Sequence, residues 1–279
     1  MAEKINLNAY FERIGFAGSI APTLTTLEML HALHPAVIPF ENLDVLAGLP
    51  VGLDQKSLER KLLTDKRGGY CFEHNLLFLR ELGELDYVAR PLLARSLWNR
   101  DPANATTADH LLVLVEINKQ NYLADVGFGG LTLTTPLRLR ADVEQSTPHE
   151  TFRLSGGDPE WLLEVKLGED WRAVYAFTLD EIGMDQIEAA HQRILADREG
   201  GMAREIRVAL SPTGRRLKLH DAVFTIQPVD GEADKRRIEG LGALKGLLID
   251  EFGLILPPSP ELEEALARIV PPAPDTDTE

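Results

Sequence analysis

The sequence predicts an α+β protein with a helical first third, a central antiparallel barrel or strongly curved sheet, and a last third that mixes helices and strands. Up to about residue 85, apolar residues recur at the three- and four-residue spacing of a buried helix face. From Tyr87 onward the period changes, and seven short strand candidates follow one another between turn residues. The 279 residues are enough for two or three domains of ordinary size.

Four helices are expected in the first third, and three of them have sequence signals at their ends. Gly15 fits the C-cap of the first helix, Thr23 fits the N-cap of the second, and Ser57 opens the third. Between the second and third helices, Pro39 excludes helix from the segment 38–43, which is therefore expected to be a loop. The predicted helices cover residues 7–14, 24–33, 57–63 and the segment that begins at or near Cys71.

The strand candidates occupy the middle of the chain and recur in the last third. The central candidates are residues 87–98, 110–117, 122–128, 136–140, 151–154, 161–167 and 171–179. The last third is expected to hold helices at 185–196 and 236–252 and strands at 204–210, 216–219 and 222–227. One short helix and a mobile acidic tail are expected at the end, and no internal repeat or long linker interrupts the chain.

The charge of the chain excludes some classes of partner. With 44 acidic residues against 29 basic ones, the net charge is −15, so the surface repels nucleic acid and anionic membranes. An anionic cosubstrate would need a local pocket that is basic or rich in N–H groups. No stretch reaches the ~18 apolar residues of a membrane span, and the start lacks an apolar signal core, so a cytoplasmic protein is expected. The oligomeric state is left open, with a homodimer as one option.

Cys71 is the only cysteine, which excludes an internal disulfide and a metal site built on paired cysteines. It lies in Arg67-Gly68-Gly69-Tyr70-Cys71-Phe72-Glu73-His74-Asn75, where two glycines precede it and helically spaced apolar residues follow. This pattern places Cys71 at the N-terminus of a buried helix, where the helix dipole favours the thiolate. His74, one turn later, is expected on the helix surface. No metal is expected, because His31, His34, His149, His191 and His220 lack acidic or cysteine neighbours at ligand spacing.

A cysteine nucleophile needs a base and a group that orients the base, and His110 and Asp125 fit these roles. His110 begins an apolar strand, and the strand that returns after the turn ends at Asp125. With a two-residue turn at 118–119, Leu112 lies opposite Asp125, and His110 is the diagonal neighbour of Asp125 on the same face. A three-residue loop would put the pair on opposite faces. The predicted nucleophile is then Cys71. From these residues alone, a structural role for each stays open: Cys71 as a small buried apolar residue, His110 as a hydrogen-bonded residue at the end of its strand, and Asp125 as the start of a turn.

Four separated motifs resemble those of the arylamine N-acetyltransferases. They are the segment 67–75, Pro39-Phe40-Glu41-Asn42-Leu43, His110 at the start of its strand, and Asp125-Val126-Gly127-Phe128-Gly129. Segments 8–15 and 238–252 are also similar, and the likeness is densest from about residue 7 to 180. The resemblance implies an N-terminal helical bundle at residues 1–84, a central antiparallel β-barrel at 85–184 and a C-terminal α/β lid at 185–279. It also implies a Cys-His-Asp core like that of the cysteine proteases.

The resemblance further implies a ping-pong transfer of the acetyl group of acetyl-CoA to arylamines, arylhydrazines or N-hydroxyarylamines, without a metal. By similarity, Cys71, His110 and Asp125 are the catalytic triad. Cys71 attacks the thioester, coenzyme A leaves, and the amine then takes the acetyl group from the cysteine. His110 acts as base and later as acid, and Asp125 orients it.

Residues around the triad are assigned by the same resemblance, each with a structural alternative. Phe40 and Phe128 would line the acceptor pocket, although core packing is the simpler role for a phenylalanine. Oxyanion donors would be the N–H of Cys71 and an N–H from the loop after Asp125. A pairing of Arg67 with Glu73 would pin the loop that carries the nucleophile. Coenzyme A would approach the backbone at Gly127, Gly129 and Gly130, which otherwise form only a bulge or turn.

The chain departs from the family pattern after the barrel. The family carries Asn-x-x-x-Ser-Thr-x-Pro-x-Ser-x-Phe there, whereas residues 191–202 lack this pattern and predict an extended helix. Arg193 and Arg198 are expected to be solvated charges on that helix, with phosphate contacts as the alternative. The departure leaves the acyl donor and the acceptor open. An amide synthase that closes a macrolactam on a polyketide thioester, a papain-like cysteine hydrolase and a non-catalytic binding protein are the alternative functions.

Overall fold

The computed structural model describes residues 5–101 and 105–270, and the predicted tail at 271–279 lies outside them. The first third is helical, as predicted, with the Thr23 N-cap and a left-handed Gly15 C-cap (φ 71°) in place. A short strand, β1 (Phe40–Glu41), lies between the second and third helices, and a π-helical turn (Glu59–Thr64) follows the fourth. The helices are α1 (Leu7–Ile14), α2 (Leu24–Val37), α3 (Leu43–Ala47), α4 (Gln55–Leu58) and α5 (Cys71–Glu84).

Among the described residues, the central sheet has eight antiparallel strands and closes almost completely into the predicted barrel. The strands are β2 (Val88–Ser96), β3 (His110–Ile117), β4 (Gln120–Ala124), β5 (Leu137–Arg138), β6 (Val143–Ser146), β7 (Thr151–Gly156), β8 (Glu160–Leu167) and β9 (Asp170–Thr178). Their spatial order is β5-β4-β3-β2-β9-β8-β7-β6. β3 is buried along nearly its whole length, and helix α5 packs against it.

The last third combines a second antiparallel sheet with four helices within the part of the chain that the structure describes. In chain order its elements are α6 (Met184–Ala196), α7 (Gly201–Arg204), β10 (Arg207–Leu210), β11 (Arg215–His220), β12 (Val223–Pro228), β13 (Asp234–Arg237), α8 (Leu241–Asp250) and α9 (Pro260–Ile269). The sheet order is β1-β10-β11-β12-β13, so one strand of this sheet comes from the first third.

The expectation that residues 38–43 form only a loop is wrong, because Phe40 lies opposite Ala209 and Glu41 opposite Val208 in this second sheet. Pro39 itself is not helical, since α2 ends at Val37, but the helix α3, which was not predicted, already begins at Leu43. The pairing partner lies far away in the sequence, so no local pattern could predict it. As a consequence, the C-terminal sheet fixes the backbone of Phe40.

Three further expectations differ from the structure. The helix predicted at 236–252 begins only at Leu241, because the fully exposed edge strand β13 occupies 234–237 and shows no apolar alternation. β6 was not predicted, since its side chains are only half-buried or exposed. The extended helix predicted over 191–202 ends at Ala196, and α7 begins afresh at Gly201. The division into domains at 84/85 and 184/185 stays a prediction.

A buried charge cluster holds the loop in front of Cys71. Arg67 donates through Nε and Nη2 to Glu41 Oε1 at 2.9 and 2.7 Å, and through Nη2 to Asp44 Oδ1 at 2.8 Å. Lys61 lies 2.7 Å from both Asp44 and Glu73. The predicted direct pairing of Arg67 with Glu73 is therefore wrong, because Asp44 and Lys61 lie between them. Burial disfavours the charge of Lys61, but the surrounding carboxylates outweigh it and raise its pKa.

Replacing Arg67 with methionine is expected to lower the free energy of unfolding by about 3–5 kcal/mol, because the buried Glu41 carboxylate loses its cation. Urea unfolding measures the change. The matched control is Arg204→Met, which removes the exposed pair with Glu199 and should cost less than about 1 kcal/mol. Equal losses in the two variants would show that the cluster contributes nothing beyond a surface pair.

Candidate active site

Helix α5 begins at Cys71, as the glycines and the apolar periodicity predicted. The N–H of Tyr70 is donated to Glu73 Oε2 at 3.0 Å, and Cys71, as the first helical residue, has no helical partner for its own N–H. The thiol is free and 7% exposed, and its Sγ lies 3.7 Å from the carbonyl oxygen of Asp109. Cys71 is therefore placed where the helix dipole favours negative charge.

Two glycines bring other backbone segments close to the nucleophile. A Cβ on Gly68 would lie 1.9 Å from the carbonyl oxygen of Pro39, so no side chain fits there. A Cβ on Gly127 would lie 3.0 Å from Cys71 Cα and 2.9 Å from the amide of Asn75. The absence of a side chain at Gly127 thus lets the loop after the barrel strand pack directly against α5.

The β3–β4 hairpin brings His110 and Asp125 together in the predicted register. Ile117 pairs with Gln120 and Val113 with Ala124, and the two turn residues 118 and 119 have φ of 52° and 61°. This is the two-residue turn that preserves the parity of the strands. His110 Nε2 lies 2.8 Å from Asp125 Oδ2, and both side chains are almost completely buried.

The electrostatics of this pair favour the imidazolium form of His110. Burial opposes the charge, but the Asp125 carboxylate and hydrogen bonds to Asp125 and Cys71 outweigh it and raise the pKa of His110 to about 10. Burial likewise disfavours the Asp125 carboxylate, yet His110, Asn75 and the N–H of Gly127 lower its pKa below the usual value. Because Nε2 faces Asp125, Nδ1 is the ring nitrogen left to face Cys71.

The thiol and the imidazole line a cavity of about 880 Å³. All four predicted substrate-contacting residues lie on its wall, namely Phe40, Phe128, Gly127 and Gly129. The ring of Phe128 packs edge-on against His110 at 5.0 Å between centroids. The C-terminal region also contributes cationic residues to the wall, which include Arg193 and Lys218.

Two N–H groups of the loop after Asp125, where a second oxyanion donor is expected, already have hydrogen-bond partners. The N–H of Gly127 is donated to Asp125 Oδ1 at 3.0 Å, and the N–H of Phe128 to Thr132 Oγ1 at 3.2 Å. Both groups therefore support the loop and the carboxylate. The N–H of Cys71 remains available as a predicted donor, and a second donor from the rest of the loop stays a prediction.

His74 is fully buried, so the expectation of a surface histidine is wrong. Its Nδ1 lies 2.8 Å from His34 Nε2, and its Nε2 lies 3.1 Å from the carbonyl oxygen of Pro39. His34 in turn contacts the hydroxyl of Tyr10 at 2.9 Å. The ring of His74 also stacks on Phe40, with 6.5 Å between centroids. This chain of hydrogen bonds connects α1, α2 and α5 to the backbone before Phe40.

A family model described as N-acetyltransferase matches residues 23–260 of this sequence. The arylamine N-acetyltransferase of Escherichia coli is 38% identical over 89% of this chain and 88% of its own. The chain belongs to the arylamine N-acetyltransferase family. A Salmonella typhimurium arylamine N-acetyltransferase / N-hydroxyarylamine O-acetyltransferase is 44% identical over 62% of this chain and 61% of its own. The structure of the Mycobacterium marinum enzyme in complex with CoA superposes with a TM-score of 0.89 at 31% identity, covering 95% of this chain and all of that one.

In this family member, the segment 191–202 supports the loops around the nucleophile. His191 Nδ1 accepts from the Tyr70 hydroxyl, and its Nε2 donates to the carbonyl oxygen of Val51 at 3.1 Å. Arg198 is exposed, as predicted, but also donates to the carbonyl oxygen of Val45 at 2.8 Å. Arg193 is exposed and lines the cavity.

Sequence reasoning missed two residues that hold Asp125. Asn75 Nδ2 donates to Asp125 Oδ1 at 2.9 Å, and its Oδ1 accepts the N–H of Val126 at 3.1 Å. His31 Nε2 accepts the backbone N–H of Asp125 at 3.0 Å. Asn75 belongs to the motif 67–75, so its place one turn after Cys71 could have pointed toward the site. His31 carries no comparable signal, because it lies on another helix.

The part of the chain that the structure describes contains no group of three or more His, Cys, Asp or Glu side chains that could hold a metal ion. Across residues 5–101 and 105–270, no helix has the length and apolar character needed to cross a membrane.

The raised pKa of His110 predicts a pH-dependent stability. Because the folded-state pKa of about 10 exceeds the ordinary 6.5, protonated His110 stabilises the fold below pH 6.5, and this contribution is lost as the pH rises toward 10. Urea unfolding would compare Cys71→Ala with Cys71→Ala/His110→Gln. Without the thiol, the Asp125 carboxylate still raises the pKa of His110, so the contribution is lost above pH 6.5 but below pH 10. The difference in their free energies of unfolding should shrink by up to about 1.4 kcal/mol per pH unit. A difference that does not vary with pH would contradict the assignment of charge to His110.

Proposed function

We propose that this protein transfers the acetyl group of acetyl-CoA to the amino group of arylamines, arylhydrazines or N-hydroxyarylamines through an acetyl-cysteine at Cys71. The observation that carries the proposal is a free thiol at a helix N-terminus beside His110, whose other ring nitrogen is 2.8 Å from Asp125. The names of the relatives support arylamine acceptors, and one name adds acetyl transfer to the oxygen of N-hydroxyarylamines. The complex of one structural neighbour with CoA supports the donor.

In the first half-reaction, the Cys71 sulfur attacks the carbonyl carbon of the thioester, with His110 holding the proton. The tetrahedral oxyanion accepts a hydrogen bond from the N–H of Cys71. Collapse of this intermediate breaks the bond to the sulfur of coenzyme A, and His110 delivers a proton to the departing thiolate. The products of this half-reaction are free coenzyme A and one acetyl group bound to Cys71.

In the second half-reaction, the amine nitrogen attacks the acetyl-cysteine and His110 accepts the proton of the amine. The carbon–sulfur bond then breaks, which regenerates the thiolate–imidazolium pair and releases the amide. Asp125 stabilises the imidazolium in both halves and keeps Nδ1 directed at the sulfur. The catalytic residues proposed here are therefore Cys71 and His110, with Asp125 completing the triad.

The cavity wall carries both aromatic and cationic side chains. Phe40 and Phe128 flank the triad, and their flat apolar rings suit an aromatic acceptor. Lys218 reaches over Gly130, and burial together with Arg216 lowers its pKa, so an anion beside Lys218 would be favoured. We propose that Lys218 contacts a phosphate of acetyl-CoA, while Gly127 and Gly129 border the path of the pantetheine arm.

The alternatives make different products from the same nucleophile. An amide synthase would take its acyl group from a polyketide thioester, a papain-like hydrolase would use water, and a binding protein would form no acyl-enzyme. The names of the relatives favour acetyl transfer over all three.

From the net charge of −15 and the single cysteine, we further propose a cytoplasmic enzyme that binds neither nucleic acid nor anionic membranes. Light scattering distinguishes a monomer from a homodimer.

The decisive test is the intact mass of the protein after mixing with acetyl-CoA, before and after addition of an arylamine or arylhydrazine. A gain of one acetyl group that disappears when the amine is added, with formation of the amide, is expected. Loss of the acetyl group in water alone at the same rate would favour a hydrolase. An unchanged mass with acetyl-CoA would overturn the proposed donor.

Two variants separate the roles of the triad in that experiment. Cys71→Ser should gain no acetyl group, because an unactivated hydroxyl replaces the thiolate. Asp125→Asn keeps the shape of the side chain but favours the wrong tautomer of His110, so acetylation should slow by a factor on the order of 10³ to 10⁴. Normal acetylation of either variant would contradict the triad assignment.

A second prediction concerns recognition of the donor. Lys218→Met should raise KM for acetyl-CoA about tenfold with little change in kcat, because one charge-assisted phosphate contact is lost. The same variant should acetylate normally with p-nitrophenyl acetate, which carries no phosphate. Lys245→Met, which changes a half-buried lysine on α8 that pairs with Glu263 outside the cavity wall, serves as the control. Equal effects with both donors would show that Lys218 acts on folding or on the chemical step, and not on binding of the phosphate.

A further inference from the structure

The backbone N–H of Asp125 has an unusual partner for a residue at the end of a strand. The β3–β4 ladder runs to the pair of Val113 and Ala124, and Asp125 follows directly. Its N–H is buried and is donated to His31 Nε2 of helix α2 at 3.0 Å. A buried N–H beyond a ladder needs an acceptor, and here a side chain 94 residues away supplies it.

This contact fixes the protonation of His31. A backbone N–H can only donate, so Nε2 must carry its lone pair and the ring proton must sit on Nδ1. Burial lowers the pKa of His31 to about 4, against the opposing effect of the Asp125 carboxylate, so the neutral ring prevails at pH 7. The ring packs edge-on against Phe78 at 5.8 Å between centroids and has no exposure.

Core packing alone does not explain why position 31 is a histidine. Among the described residues, no protein group accepts a hydrogen bond from Nδ1. An apolar side chain in the same place would avoid that unpaired polar atom, so packing does not explain the choice of residue. What a histidine adds at this position is the acceptor for Asp125.

We propose that His31 is a positioning residue that holds the peptide unit of Asp125, and through it the carboxylate, against His110. Thr132 Oγ1 donates to the carbonyl oxygen of Asp125 at 2.9 Å, so both polar groups of the residue's backbone are held by side chains. Asn75 and the N–H of Gly127 hold Oδ1, which leaves Oδ2 for His110. The role of His31 in turnover rests on the function proposed above, whereas its effect on the His110–Asp125 contact does not.

Substitutions at position 31 separate the acceptor from the volume of the ring. The amide oxygen of a glutamine can occupy the place of Nε2, whereas an asparagine is too short and a leucine has no acceptor. His31→Gln should therefore retain the contact, and His31→Asn and His31→Leu should lose it. Leu27→Ala is the control, because it removes buried apolar contacts from the same helix and no hydrogen bond.

The experiment measures the Cys71–His110–Asp125 unit without acetyl-CoA. One readout is the rate of alkylation of Cys71 by iodoacetamide at pH 7, and the other is the downfield proton resonance of His110 Nε2–H. His31→Leu and His31→Asn should alkylate about tenfold more slowly, with a shifted or lost resonance, as expected when a buried hydrogen bond is removed. His31→Gln should stay within about twofold of the wild type, and Leu27→Ala should lower Tm without moving the resonance.

Three results would overturn the proposal: an unshifted resonance in His31→Asn or His31→Leu, equal losses in His31→Gln and His31→Asn, or the same shift in Leu27→Ala. Because the asparagine and glutamine variants differ by one methylene, a folding failure of His31→Leu leaves the comparison intact. If the wild type takes no acetyl group from acetyl-CoA, only the proposed function is contradicted. The alkylation rate and the His110 resonance need no acyl donor, so they still test the role of His31.

Discussion

The buried carboxylate of Asp125 is the constraint on which the rest of the site depends. Its side chain has no exposure, and a charge removed from water is tolerated only when several donors surround it. Those donors come from separate segments: His110 from β3, Asn75 from α5 and the N–H of Gly127 from the following loop. Helix α2 adds His31 at the backbone. Because no single segment satisfies the carboxylate, the site forms only when the helices pack against the barrel.

The position of Cys71 depends on a second set of long-range contacts. The loop before Cys71 is held by the Arg67–Glu41 pair on one side and by the hydrogen bond between Tyr70 and His191 on the other. The second contact comes from the segment 191–202, which also contributes Arg193 to the cavity wall. This segment therefore both supports the loop before Cys71 and faces the cavity.

Local patterns explain what the sequence could predict. The order of helices and barrel strands follows from periodicity, and the contact of His110 with Asp125 follows from strand parity across a two-residue turn. The half-buried or exposed strands β6 and β13 were missed because they show no apolar alternation, whereas three other features depend on contacts between distant segments. The strand at Phe40, the burial of His74 and the role of His31 each require a partner from another element, and the spacing of residues in one sequence carries no record of such a partner.

The balance of charge in the cavity is opposite to that of the chain. The chain has 44 acidic residues against 29 basic ones, whereas the described cavity wall has four Lys or Arg residues and three Asp or Glu residues, namely Arg100, Arg193, Arg207, Lys218, Asp109, Asp197 and Glu205. At physiological salt, charges more than about 8 Å apart in solvent are largely screened. The electrostatic energy of an anion inside the cavity is therefore set mainly by the nearby cations. A strongly acidic surface can therefore reject nucleic acid while the cavity still admits a phosphate-bearing cosubstrate. The positive charge of His110, whose ring packs against Phe128, is stabilised by the Asp125 carboxylate, which is separate from the charged residues of the cavity wall.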